Sequence, residues 1–411
     1  MSSPPSTMVP DRRGWTSACA ALLVLFACAH SPAGSLELVE SEPIETSLDR
    51  PDLRDAWQVW PQMIAGARAR IDIAEFYASN EPGSRLEPVV QGLLDAAKRG
   101  VRVRFLADAG FYKTYPETLD RLATGGVTVR KFDVRRIMGG VLHAKYFVVD
   151  GGEAYLGSQN FDWRSLTHIE ELGVRFRAPG AVRALQDIFE ADWALAAGEP
   201  APPPSAAYRF DELRLVASPR GFLPDEKLWD LPALVELIDS AQKSVRVQLL
   251  TFGGVAELSS ALVRAAGRGV KVQLLLSDWE LRARTLAALH GLDRRIEVRI
   301  ITIPQWSGGF VPFARVAHAK YCVVDAARGW IGTGNWEPDY FSSSRNVGLL
   351  IDGGVLPPRL DSFFRENWES PYAAPFDPGR EYQPPKISAL KVDRPSLPGQ
   401  LARSGGSAAR Y

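Results

Sequence analysis

Apolar and polar positions along this chain follow two rhythms, and each rhythm occurs twice. Ile71-Asp72-Ile73-Ala74-Glu75-Phe76 and Val245-Arg246-Val247-Gln248-Leu249-Leu250 carry apolar residues at a period near two, which predicts strands. Each run is followed by a helical pattern. The first ends Leu94-Asp95-Ala96-Ala97-Lys98-Arg99-Gly100-Val101-Arg102-Val103, the second Val263-Arg264-Ala265-Ala266-Gly267-Arg268-Gly269-Val270-Lys271-Val272. Both read as an amphipathic helix stopped by glycine at C′, then an alternating strand. A third strand is predicted at Val127-Thr128-Val129 and again at Ile296-Glu297-Val298. Strand, helix, strand in this order predicts an α/β fold of two pseudo-symmetric α/β/α halves with mostly parallel sheets.

The boundaries follow from composition. Repeat 1 is expected over residues 45–196 and repeat 2 over residues 208–370. Residues 197–207, with Glu199-Pro200-Ala201-Pro202-Pro203-Pro204-Ser205, form a stiff Pro-rich linker between them. Residues 371–411 are rich in Pro, Gly and Ser, and are expected to be a disordered tail. A length of 411 residues suits two units of domain size. The formal net charge is zero, so no global field argues for nucleic acid, although a local basic groove stays open.

Residues 1–28 read as an export signal. Arg12 and Arg13 precede an apolar run from Ala18 to Ala27, too short to span a bilayer. The end of that run, Leu25-Phe26-Ala27-Cys28, resembles a bacterial lipobox with Cys28 as the acylated residue. The expected location is therefore the bacterial cell envelope or the medium, with a membrane surface as partner if Cys28 is lipidated. A plain signal cut near Ala29 or Ala33, and an uncleaved anchor, are the alternatives. Of the three cysteines, Cys19 leaves with the leader and Cys28 is the lipidation candidate, so Cys322 has no disulfide partner. No Cys/His cluster has zinc spacing.

The candidate chemistry is duplicated with the fold. Val141-Leu142-His143-Ala144-Lys145-Tyr146-Phe147-Val148-Val149-Asp150 leads to Gly157-Ser158-Gln159-Asn160. Val316-Ala317-His318-Ala319-Lys320-Tyr321-Cys322-Val323-Val324-Asp325 leads to Gly332-Thr333-Gly334-Asn335. His318 follows His143 by 175 residues (318 − 143), and Lys320, Asp325, Gly332 and Asn335 follow their counterparts by the same interval. On a strand, His-x-Lys puts both side chains on one face, while Asp150 and Asp325, at odd spacing, point to the other. Burying an unpaired lysine beside a histidine twice is costly, and a bound anion would offset that cost.

His-x-Lys-x4-Asp-x6-Gly-Ser/Thr-x-Asn, present twice over roughly residues 45 to 370, resembles the signature of the phospholipase D superfamily. The flanks Phe161-Asp162-Trp163-Arg164-Ser165-Leu166, Pro312-Phe313-Ala314-Arg315 and Trp336 to Phe341 look like the branch with endolysosomal 5′-exonucleases and poxvirus envelope phospholipase-like proteins. The resemblance implies one active site shared at the interface of the halves, no cofactor and no metal, and no obligate protein partner. It implies His143 as nucleophile forming a phosphohistidine, and His318 as general acid/base. Lys145, Lys320, Asn160 and Asn335 would hold the nonbridging oxygens. In this family a Glu at the place of Glu171 orients a histidine. The second half has Asn346 there, which makes a favoured nucleophilic half containing His143 and Glu171, with Glu170 able to share the role. Ser158 and Thr333 are candidate hydroxyl donors to substrate or turn residues. Asp150, Asp325, Gly157 and Gly332 are read as structural, and His168 and His290 as bystanders.

The preferred substrate from sequence is a phospholipid headgroup, hydrolysed or exchanged, with Trp306, Phe310 and Phe313 of the loop 303–313 dipping into an interface or lining an acyl channel. The alternative is a 5′-exonuclease on single-stranded nucleic acid, with Arg135, Arg136 and Arg315 holding the backbone. A non-catalytic phosphate-binding module is the remote third reading.

Overall fold

The computed structural model describes residues 36–380 except positions 280 and 282, together with the first two residues. Cys19, Cys28 and the rest of the expected leader from residue 3 lie outside the described residues, as does the chain from 381.

Two sheets of eight strands follow one plan. The first contains β1 (Leu36–Ser41), β2 (Arg70–Glu75), β3 (Arg102–Asp108), β4 (Thr128–Phe132), β5 (Lys145–Val149), β6 (Glu153–Gly157) and β7 (Glu171–Phe176), in the order β1-β7-β6-β5-β2-β3-β4, with Arg54–Asp55 beside β1. The second contains β8 (Leu213–Ser218), β9 (Ser244–Leu249), β10 (Lys271–Ser277), β11 (Glu297–Ile301), β12 (Tyr321–Val324), β13 (Arg328–Gly332) and β14 (Asn346–Asp352), in the order β8-β14-β13-β12-β9-β10-β11, with β15 (Ala373–Pro375) beyond β11. The α/β class and the duplicated halves expected from sequence are both present.

The strand directions differ from expectation. β2, β3 and β4 are parallel, as are β9, β10 and β11. The runs β2-β5-β6-β7-β1 and β9-β12-β13-β14-β8 are antiparallel throughout. The sheets are therefore mixed rather than mostly parallel. The cause lies just after each motif: three residues, 150–152 or 325–327, join consecutive strands, too few for the crossover that parallel neighbours need. The chain also stays ordered past the expected tail boundary at 371, because β15 pairs antiparallel with β11.

Helices α1 (Ala56–Gly66), α2 (Glu87–Lys98) and α3 (Pro179–Ala196) belong to the first half, and α4 (Asp230–Asp239), α5 (Ala256–Gly267) and α6 (Leu356–Glu369) to the second. Trp60 and Met63 of α1 and Leu93 of α2 pack with Phe147 and Val149 of β5 in an outer core. Leu237 of α4 and Leu262 of α5 do the same with Cys322 and Val324 of β12. Phe189 of α3 and Phe363 and Phe364 of α6 share the central core with Tyr146, Val148, Tyr321 and Val323. Each motif strand thus feeds two cores through its alternating side chains, which holds its register firmly. Among the described residues no helix is long and apolar enough to cross a membrane.

The motif aspartates tie this frame together. Asp150, at φ 52°, accepts backbone N–H groups of Arg68, Ala69 and Arg70 at 2.8–2.9 Å. Asp325, at φ 55°, accepts those of Gln242, Lys243 and Ser244 at 2.7–2.8 Å. These bonds hold both carboxyls below their ordinary range. Gly157 leaves no room for a side chain, since a Cβ there would sit 2.7 Å from Gly173 Cα, and one on Gly332 would strike the Trp330 ring.

Candidate active site

The motif histidines sit where the halves exchange backbone hydrogen bonds. His143 N donates to Arg345 O at 2.9 Å, and Arg345 N to Val141 O at 2.9 Å. The second half repeats the exchange, His318 N to Glu170 O at 2.7 Å and Glu170 N to Val316 O at 3.0 Å. Leu142 thereby bridges Arg345, and Ala317 bridges Glu170. The consequence is a crossing of partners. The residue after each bridge opens β7 or β14 beside the histidine of the other half. Glu171 Oε2 lies 3.0 Å from His318 Nδ1, and Asn346 Oδ1 lies 3.1 Å from His143 Nδ1. The sequence groups Glu171 with His143 as one favoured half; in the structure its carboxylate serves His318 instead.

Lys145 Nζ donates to His143 O at 3.0 Å, and Lys320 Nζ donates to His318 O. Both lysines are buried. His143, His318, Asn160 and Asn335 line a common cavity. Its walls are aromatic on both sides: Phe76, Tyr77 and Tyr115 from the first half, Trp279 and Phe313 from the second. Tyr115 stacks on Tyr77 at 5.0 Å between centroids, and Tyr77 donates to Asp162 at 2.8 Å. Asp162 in turn holds Arg164 at 2.9 Å.

Burial pushes both imidazoles well below the ordinary histidine range, and Lys145 and Lys320 push them the same way. Burial also brings Lys145 down to about 7, against the fields of Glu75 and Glu171. Burial also holds Lys320 well below its ordinary range. Burial raises Glu171 to about 8, while Lys320 and a 2.6 Å bond from Ser165 Oγ oppose the rise. Glu171 and His318 are both buried and in contact, and a carboxylate in that place favours the protonated ring. His143 has only a neutral amide in that place. The pocket concentrates cationic donors in a low-dielectric setting, which suits a bound phosphodiester anion.

Several residues singled out from sequence lie outside the cavity lining. Ser158 and Thr333 are fully buried behind the histidines, not at the substrate. Ser158 Oγ accepts from Leu172 N at 3.0 Å, while Thr333 Oγ accepts from Val347 N and donates to Asn346 Oδ1, both at 3.1 Å. Trp306 packs against His168, 5.0 Å between rings, and does not line the cavity, whereas Phe313 does. Arg315 is buried and donates to the carbonyls of Pro304 at 2.6 Å and Ile44 at 2.8 Å. It braces the chain rather than reaching for a strand. Arg135, Arg136 and His290 are exposed. Glu170 accepts from Gln248 and Asn367, each at 2.8 Å, away from the histidines.

Sequence reasoning missed Glu75. It stands opposite Lys145 in the β2–β5 ladder, so their side chains share a face, and it is 1% exposed. Burial drives its carboxyl well above the ordinary range while Lys145 opposes. The available signal was a carboxylate closing an apolar strand whose counterpart, β9, closes with Leu249. Among the described residues no group of three or more His, Cys, Asp or Glu is placed to hold a metal ion.

Residues 61–193 and 234–368 each match the family described as cardiolipin synthase, PLD-like domain. Phospholipase D Z of Dictyostelium discoideum is 32% identical, over 83% of this chain and 91% of that protein. The 5'-3' exonuclease PLD3 of Homo sapiens is 33% identical, over 83% of this chain and 81% of that protein. Among solved structures, a phosphatidylserine synthase of Haemophilus influenzae superposes with a TM-score of 0.58 at 11% identity, over 78% of this chain and 85% of that one, a likeness of fold.

Proposed function

We propose that this chain, which belongs to the phospholipase D superfamily, removes nucleotides from the 5′ end of single-stranded nucleic acid. It is a phosphodiesterase whose reaction passes through a phosphohistidine. His143 Nε2 attacks phosphorus, and His318 gives its proton to the departing oxygen. Water then attacks the phosphohistidine, surrendering its proton to His318, and the phosphorus–nitrogen bond breaks. Lys145, Lys320, Asn160 and Asn335 hold the nonbridging oxygens as charge grows on them.

The observation that carries the substrate choice is the pair of aromatic walls flanking the histidines, Tyr77 and Tyr115 on one side and Trp279 and Phe313 on the other. Flat rings on both sides of a phosphate site suit stacking of bases, worth roughly 1–3 kcal/mol each. Relatives named as 5'-3' exonucleases, 30–34% identical over most of both chains, support the same reading. The phospholipid headgroup preferred from sequence keeps Phe313 in the cavity lining but loses Trp306, which packs on His168, and Phe310 alone of the loop aromatics stands 40% exposed. A single ring is a weak membrane contact. Export, and acylation at Cys28, are proposed on the leader alone.

The test offers purified protein short single strands with free or phosphorylated 5′ ends, and vesicles of phosphatidylcholine or phosphatidylglycerol. Stepwise release of mononucleotides from the 5′ end is expected. Release of choline or glycerol with strands left intact would move the assignment to the phospholipid headgroup. Binding without turnover of either would leave a phosphate-binding module.

A further inference from the structure

We infer that Asn346 is a positioning residue that holds His143 as the neutral Nδ1–H tautomer, its Nε2 lone pair turned to the cavity, and thereby makes His143 the attacking base. The inference rests on the two-histidine phosphodiesterase reading and not on the identity of the natural substrate.

The hydrogen bonds around Asn346 fix which way its amide faces. Asn346 Nδ2 donates to Tyr340 O at 3.0 Å. Thr333 Oγ1 donates to Asn346 Oδ1 at 3.1 Å. The oxygen therefore faces His143 Nδ1 at 3.1 Å, and an acceptor there requires the ring proton on Nδ1. Nε2 is left unprotonated, and the ring lines the cavity. Rotation of the ring is restrained by Tyr340 at 4.7 Å and Phe76 at 5.1 Å between centroids, both edge-on.

The other histidine is built on the same frame with one atom type changed. Glu171 opens β7 as Asn346 opens β14, 175 residues apart (346 − 171), and Ser158 and Thr333 brace the following backbone N–H alike. A carboxylate behind an imidazole stabilises the imidazolium, which suits a proton donor. An amide accepts the same hydrogen bond without stabilising a cation, which suits a nucleophile that must be neutral to attack. It also helps the second step. The phosphorylated ring keeps its Nδ1 proton and carries positive charge, so an uncharged partner leaves the phosphorus–nitrogen bond easier to break as its electron pair returns to Nε2. The charged or titratable groups that act on His143 are Lys145, Lys320 and His318, with the Tyr340 phenol on the short helix Pro338–Ser342; Glu75 and Glu171 lie one step further out, acting on Lys145. The Asp108 carboxylate sits behind, accepting from Leu142 N at 2.8 Å. None of these takes the Nδ1 proton.

Two measurements on the full chain test the inference. In protein labelled with ¹⁵N-histidine, the His143 ring, assigned by its loss in His143→Ala, is expected to be neutral with the proton on Nδ1. In Asn346→Leu the Nε2–H tautomer is expected to become populated. The second measurement uses bis(4-nitrophenyl) phosphate, whose leaving group needs no proton. Here Asn346→Leu is expected to lower kcat at least tenfold with little change in KM. Asn346→Asp, close to isosteric, is expected to move the acid limb of kcat/KM to higher pH and to make the phosphohistidine accumulate. A wild-type His143 carrying its proton on Nε2, or an Asn346→Asp variant with an unmoved acid limb and no accumulation, would overturn the inference. A loss in Asn346→Leu that accompanies a lowered melting temperature while the tautomer stays on Nδ1 would also overturn it, leaving a packing role. Since none of these readouts involves a nucleic acid or a lipid, failure here leaves the substrate question untouched.

Discussion

The two halves use the same devices to hold themselves together and different ones where they meet the phosphate. Asp150 and Asp325 close equivalent turns with three backbone bonds each, and Leu142 and Ala317 make equivalent bridges across the interface. At the histidines the match ends. His318 is backed by Glu171 and His143 by Asn346, while Lys145 faces Glu75 and the corresponding end of β9 is Leu249. On the roles proposed above, these side chains placed off the symmetry are what would turn a pair of similar histidines into an acid and a nucleophile. The crossed hydrogen bonds also mean that neither half holds a complete site: each histidine takes its partner from the other half.

The largest separation between the halves is expected from the histidines themselves. His143→Ala should lower turnover by roughly 10⁴-fold or more on any phosphodiester, because the covalent step is lost. His318→Ala should be as damaging to steady-state turnover, but on bis(4-nitrophenyl) phosphate, whose leaving group needs no proton, it should still release a burst of one nitrophenolate per site at a rate within about tenfold of wild type before hydrolysis stalls for want of a base. A burst in neither variant, or in both, would erase the distinction of roles.

Glu75 gives a smaller effect confined to one half. Lys145 is held near 7, below its unfolded value, so its positive charge is lost as pH rises through that range. Glu75 opposes this. Glu75→Gln should therefore move the alkaline limb of kcat to lower pH and reduce turnover several-fold at pH 8, with little change at pH 6. A limb that moves upward, or stays, would show that Glu75 does not act on Lys145.

Next come the walls. Tyr115→Ala and Trp279→Ala should each weaken binding of a single strand by about tenfold, within the roughly 1–3 kcal/mol that one stacked base contributes. Neither should change turnover of the small chromogenic diester. The smallest effect should be symmetric. Asp150→Asn and Asp325→Asn each weaken three backbone bonds in half-exposed turns, about 1–2 kcal/mol of stability apiece, with kcat retained. A large loss in one and none in the other, read by denaturant melts, would break the equivalence of the frames.

The duplicated motif and the α/β class were legible from spacing and alternation. The faces expected for the motif residues do not come from strand alternation: β5 begins at Lys145 and β12 at Tyr321, so both histidines and Lys320 lie on the approach to the strands, and Asp150 and Asp325 lie in the turns after them. The crossing of Glu171 to His318 was not, since no spacing within one repeat reveals a contact made through a bridge 147 residues away. Glu75 was hidden because its partner depends on strand order, and β2 neighbours β5 only after the chain has passed through β3 and β4. Alternation marks a strand without giving its direction, so the antiparallel runs after each motif had to be read from the short turns that join them. The loop aromatics misled for a related reason. A Trp in a Pro- and Gly-rich loop looks exposed, yet Trp306 folds back on His168.

On the proposed mechanism the halves divide the chemistry, and His143 takes the phosphorus. The direct measurement is to mix enzyme with a strand labelled at its first internucleotide phosphate, quench under alkaline denaturing conditions that preserve phosphohistidine, and map the labelled peptide. The label is expected on the peptide containing His143, and is expected to be absent in His143→Ala. Label on the peptide containing His318 would contradict the proposed mechanism.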